Sequence, residues 1–275
     1  MAEIVHDAVA LKHETLVSSP ARNSRRGPDA ATDPPARAAP RPPAPQTTFR
    51  LRAVVCGDAA SGKSALVRLA CSHGREHPKS YVCSTAPEWL ALAQRVPAAA
   101  LPPRAPPALV DLLLLDTPGG AAFNQRDDAA ARLWGSCGAA VVVFDLGSRE
   151  SFKNVDRWLQ KAQVAFAGAA SAAAASGGSG GGAAGTGPML VVLVGAKADF
   201  REPGVERAEV SAEEGRACAA RLGALEYVEV SAERGLDVER PFAALAAAFA
   251  RRCLEEREDE DEGAESGVGG SRERR

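Results

Sequence analysis

The chain of 275 residues is 45% hydrophobic and 25% charged, with a formal net charge of −2. That balance gives no bulk attraction for nucleic acid, and no run of about 18 apolar residues is present to cross a bilayer. Six cysteines, Cys56, Cys71, Cys83, Cys137, Cys218 and Cys253, are scattered without C-x-x-C pairs or histidines at metal spacing, which speaks for reduced thiols in a cytosolic-type compartment and against a zinc site or a disulfide frame.

Residues 1–48 carry Arg22, Arg25, Arg26, Arg37 and Arg41 among many prolines and few large apolar groups. Such a segment cannot bury enough area to offset ordering entropy, so a disordered Pro/Ala/Arg-rich arm is expected, with a short helix over Ile4–Val17 as an alternative. Its early acidic residues, Glu3, Asp7 and Glu14, speak against a secretory signal. A folded domain is expected over 49–254. Its first strand is the apolar run Leu51–Cys56, followed by Gly57-Asp58-Ala59-Ala60-Ser61-Gly62-Lys63-Ser64 and a helix from Ala65. This is G-x-x-x-x-G-K-[ST] between strand and helix, the setting in which backbone N–H groups and a helix N-terminus wrap phosphates. Lys63 would reach the outer phosphates and the Ser64 hydroxyl would ligate Mg²⁺.

A polar connection, Lys79–Thr85, leads to an expected strand at Glu88–Val96. Pro97, Pro102, Pro103, Pro106 and Pro107 mark a stretched hairpin loop before the buried strand Ala108–Leu115. That strand runs into Asp116-Thr117-Pro118-Gly119, where a carboxylate would hold Mg²⁺ through water and the Gly119 N–H would approach a terminal phosphate. Helical spacing over Asp127–Trp134 precedes the strand Ala139–Phe144. One helix is expected from Glu150, with Phe152, Val155, Trp158 and Leu159 on its inner face. Gly168–Gly187 is almost only Gly, Ala and Ser, a flexible insertion by composition. The next strand, Met189–Val194, leads to Ala196-Lys197-Ala198-Asp199. There the Asp199 carboxylate would accept from guanine N1 and N2 hydrogens, with the Lys197 stem across the purine face. Ser211 and Glu214 form a capping box for a helix to Leu222. After the strand Leu225–Val230, the backbone N–H groups of Ser231-Ala232-Glu233 would face the guanine O6. A closing helix over Val238–Leu254, with Pro241 in its first turn, gives way to an acidic tail expected to be disordered over 255–275. The end, Ser271-Arg272-Glu273-Arg274-Arg275, has no Cys box, so no prenyl anchor is expected.

The order of elements predicts a doubly wound α/β fold with a mostly parallel, six-stranded sheet and about five helices. The site would lie at the carboxyl ends of the strands.

The set GDAASGKS, DTPG, AKAD and SAE, in that order, resembles the G-boxes of a Ras-superfamily small GTPase over about residues 50–253. Lys79-Ser80-Tyr81, Val96-Pro97, Leu133-Trp134, Glu150-Ser151-Phe152, Trp158-Leu159-x-Lys161-Ala162 and Pro241-Phe242 resemble the Rab-like branch that serves the intraflagellar transport B complex. The resemblance implies GTP or GDP with Mg²⁺, bound by Gly57–Ala65, Ser84, Thr85, Asp116, Gly119, Lys197, Asp199, Ser231 and Ala232. Ser64, Ser84, Thr85 and Asp116 would be at the metal, with Ser84 preferred over Thr85 by its spacing from Tyr81. It also implies a heterodimer with a small β-sandwich transport subunit, further transport B subunits, cargo export with the Bardet–Biedl complex, and residence in cytoplasm and cilium.

Three departures stand out. Gly120 occupies the place of the Gln that orients the attacking water, so no catalytic residue is assigned and hydrolysis is expected to be very slow. Pro118 stiffens the same loop. Ala196 replaces the Asn that bonds the purine and ties the loops together, a loss of about 1 kcal/mol. The alternative reading is a structural transport subunit with a vestigial nucleotide site. A small-molecule phosphotransferase would need an arginine-rich lid and an acceptor pocket, and neither is found.

Overall fold

A strand covered by helices on both sides must be apolar at nearly every position, and the runs ending at Cys56, Phe144 and Val194 are of that kind. The computed structural model describes residues 47–76, 84–120, 128–175 and 187–268. Strands β1 (Thr47–Cys56), β2 (Glu88–Val96), β3 (Ala108–Asp116), β4 (Ala139–Asp145), β5 (Leu190–Ala196) and β6 (Glu226–Val230) form one sheet in the order β2-β3-β1-β4-β5-β6. Only β2 is antiparallel to its neighbour. The expected mostly parallel, six-stranded sheet is therefore present.

The helices are α1 (Lys63–Cys71), α2 (Asp128–Gly135), α3 (Arg149–Lys153), α4 (Val155–Ala175), α5 (Ala212–Leu222) and α6 (Arg240–Val268). One face of the sheet packs Leu66 and Leu69 of α1 against Phe242, Leu245 and Phe249 of α6. The other face packs Trp134, Trp158, Leu159 and Cys218 from α2, α4 and α5. The loops after β1 and β3 thus lead to helices on opposite faces, and between those strand ends lies the crevice where open sheets bind ligands. Ser211 and Glu214 form both bonds of the expected capping box.

Three elements differ from the sequence reading. The helix expected from Glu150 is two, broken at Asn154, which caps α3; its amide is drawn to the loop after β1. The segment 168–175, read as flexible coil, is helical and extends α4. A formed helix adds Ala at little loss, and Ala169 packs so closely on α2 that a Cβ at Gly135 would come within 2.8 Å of it. The closing helix likewise runs on through the acidic stretch to Val268. Glu and Arg are good helix formers, and the Arg257 guanidinium lies 5.2 Å from the Phe49 ring, so the extension rests on β1. The arm at 1–46, the connection 77–83, the rest of the insertion at 176–186 and the terminus 269–275 lie outside the described residues.

Candidate functional site

The turn after β1 closes tightly because Gly57 takes φ 148° and a Cβ there would meet the Val143 carbonyl oxygen at 2.0 Å. Gly62, at φ 99°, turns the chain into α1, which starts at Lys63 rather than at Ala65. The first residues of this helix, Lys63, Ser64 and Ala65, line the crevice. Lys63 is buried, and its Nζ donates to the Asp58 carbonyl at 2.6 Å, which lays the ammonium across the loop.

The carboxyl end of β3 meets this loop. The Ala59 N–H donates to the Gly119 carbonyl at 3.1 Å, and a Cβ at Gly119 would come within 2.3 Å of Ala59 N. Only glycine permits that approach. The Thr117 hydroxyl, which the sequence did not single out, donates to the Val55 carbonyl at 2.7 Å and fixes the turn to β1. Ser64 Oγ and Ser84 Oγ lie 2.9 Å apart, so the polar connection delivers its serine to the serine of the phosphate loop. Asp116 is 1% exposed, and its Oδ1 has no hydrogen-bond partner among the described residues. Burial pushes its carboxyl above the usual range, while the Ser64 hydroxyl and the Lys63 charge pull it back.

These groups fit a magnesium ion. Ser64, Ser84 and the unpaired Asp116 oxygen are hard oxygen donors on one side of the phosphate loop. No group of three or more His, Cys, Asp or Glu that could hold a metal exists among the described residues. That is the pattern of an ion shared with phosphates and water, not of an all-protein cage.

The far end of the cavity is built from β5 and β6. Lys197 takes a left-handed conformation, φ 63° and ψ 46°, and its Nζ bonds Asp145 Oδ2 at 2.6 Å. Asp199 Oδ1 accepts from the Ser231 hydroxyl. Of the three backbone N–H groups expected to face the base, that of Ser231 donates instead to the Leu236 carbonyl at 3.1 Å, while its hydroxyl is the group bonded to Asp199. Ala196 lies with its Cβ 3.3 Å from the place a Gly62 Cβ would take, a contact without hydrogen bonding between the base loop and the phosphate loop.

One cavity of about 980 Å³ joins both ends. Of the expected residues, Ala59, Ala60, Gly62, Lys63, Ser64, Ala65, Ser84, Thr85, Gly119, Lys197, Asp199 and Ala232 line it. Gly57, Asp58, Ser61, Asp116 and Ser231 stand behind that wall. Arg68 and Glu88, paired at 3.2 Å, flank it and carry no motif by which the sequence could have marked them. Around Gly120 nothing among the described residues lies within 4 Å of where a Cβ would sit.

The Ras family model matches residues 52–251. The chain is 30% identical over 198 residues to the intraflagellar transport protein 27 homolog of Homo sapiens, covering 72% of this chain and 89% of that one. It is 26% identical over 205 residues to intraflagellar transport protein 27 of Chlamydomonas reinhardtii, covering 74% and 86%. The Bos taurus homolog is 27% identical over 198 residues, covering 72% and 89%.

Proposed function

This chain belongs to the Ras family, and we propose that it acts as a Rab-like GTP-binding subunit of the intraflagellar transport machinery. The observation that carries this reading is the single cavity in which the phosphate loop, Ser84, Gly119, Lys197 and Asp199 meet. Relatives named for intraflagellar transport over most of their own length supply the cellular setting.

In this reading the loop amides and Lys63 hold the phosphates. Ser64, Asp116 and the hydroxyl of Ser84, with Thr85 beside it, would hold Mg²⁺, which would offset phosphate charge. Asp199 accepts from the guanine N1 and N2 hydrogens, which adenine lacks, and Ser231 keeps that carboxylate aimed. Loops at Ser84–Thr85 and Asp116–Gly120 change order with the terminal phosphate, the usual basis of a nucleotide switch. No side chain at Gly120 can orient water, so turnover is very slow. The chain pairs with the small β-sandwich transport subunit, joins the B complex in cytoplasm and cilium, and aids export with the Bardet–Biedl complex.

Ala196 and Gly120 favour a second reading, a structural subunit whose nucleotide site is vestigial. Denaturing the purified protein and separating the released nucleotide decides between them. Guanine nucleotide is expected; its absence, with no stabilisation by added GTP, defeats the switch. A pull-down from ciliated cells tests the setting, with Lys63→Ala expected to retain fewer transport subunits than the unaltered chain. If none co-purifies with either, the transport role fails and family membership stands.

A further inference from the structure

Asp58 is a charged residue in the phosphate loop whose side chain does not line the nucleotide cavity. Its carboxylate turns the other way. Oδ2 accepts from Asn154 Nδ2 at 2.7 Å and Oδ1 accepts from Trp158 Nε1 at 2.7 Å, with the Arg157 guanidinium 3.8 Å away. Both bonds have an ionised acceptor, which makes them the stronger kind. They also explain where the helix breaks, since Asn154 sits in the gap between α3 and α4.

The backbone of the same residue faces the phosphates. Its carbonyl accepts from Lys63 Nζ at 2.6 Å, and its carbonyl carbon lies where a Cβ on Gly119 would come within 2.3 Å. Two residues on, Ala60 is held at φ 60°, a left-handed conformation that disfavours alanine. A loop carrying that strain needs an anchor on each side. Helix α1 supplies one, and the Asp58 carboxylate supplies the other. Beyond Trp158 the contact continues, because its indole stacks on Trp134 of α2 at 6.3 Å and Lys161 Nζ lies 5.0 Å from the Trp134 ring.

We infer that Asp58 is a positioning residue, latching the phosphate loop to Asn154 and Trp158 so that its own carbonyl holds Lys63 ready for the phosphates. This rests on the guanine-nucleotide reading above. The latch makes Trp158 a reporter of the loop, since its indole N–H and the Lys63 ammonium are bonded to the same residue.

The test measures GDP affinity and tryptophan emission in the unaltered chain and in Asp58→Ala, Asp58→Asn, Asn154→Ala and Trp158→Phe, with folding checked by circular dichroism. Asp58→Ala is expected to weaken GDP binding about tenfold. Asp58→Asn keeps an acceptor oxygen for Trp158, and Asn154 can turn its own oxygen toward the new amide, so affinity recovers to within about threefold of the unaltered chain. Adding GDP changes the Trp158 emission, taken as the difference from Trp158→Phe, in the unaltered chain but not in Asp58→Ala. Wild-type affinity in Asp58→Ala, or no recovery in folded Asp58→Asn, overturns the latch. Should Asp58→Ala not fold, Asn154→Ala decides: a loss of about threefold supports the latch and no loss overturns it. An unaltered chain that takes up no GDP defeats the nucleotide reading itself, and the latch with it, before any variant is compared.

Discussion

The two ends of the cavity are held by different means. At the phosphate end the walls are mostly backbone: the turn at Gly57 and Gly62, the start of α1, and Gly119 seated on Ala59. At the base end side chains hold side chains, Lys197 to Asp145 and Asp199 to Ser231. A backbone cradle requires glycines at a few places and asks no hydrogen bond of the Ala59 or Ala60 side chains between them. A side-chain end loses a bond with each substitution, and Ala196 is such a loss. The contrast teaches why this chain keeps the full phosphate motif while its base motif has thinned.

At the base end, changing Asp199, the proposed reader of the base, is expected to have the largest effect. Asp199→Asn exchanges a carboxylate that accepts two bonds for an amide that presents a donor, so GTP affinity falls about a hundredfold in calorimetry. The phosphate end is sharpened by Gly120→Gln. The space there is open among the described residues, and a side chain that orients water raises single-turnover hydrolysis about tenfold or more. An unchanged rate would mean that the missing side chain at Gly120 does not limit hydrolysis.

Ala196→Asn tests the contrast directly, since its amide would span the short gap to the phosphate loop. Nucleotide is then held about fivefold more tightly, corresponding to one hydrogen bond of about 1 kcal/mol. No gain would mean that the base end is not limited by that bond. The smallest effect concerns Asp116 in the nucleotide-free chain. Burial raises its folded pKa above the ordinary 3.8, so the folded state keeps its proton to higher pH than the unfolded state. Stability is full below the ordinary value and falls as pH rises through the raised one. Asp116→Asn should therefore melt higher than the unaltered chain at neutral pH, with no difference in acid.

Strand positions, the capping box at Ser211 and Glu214, and the phosphate loop were legible because each depends on neighbours a few residues apart, where apolar period and glycine placement carry the information. The helical continuations at 168–175 and 255–268 were not, because composition alone favours coil or tail, and what holds them is contact with Gly135 and Phe49 from distant strands and helices. The same division runs through the site. Motif spacing marked the residues that line the cavity or stand close behind it. The spacing from Tyr81 already favoured Ser84, and the fold seats it beside Ser64; the Ser231 hydroxyl bonding Asp199, and Asp58 turning toward Asn154 and Trp158, came from the fold alone. The sheet order brings together side chains that lie far apart in the chain, and no local pattern encodes which face of a loop will find its partner there.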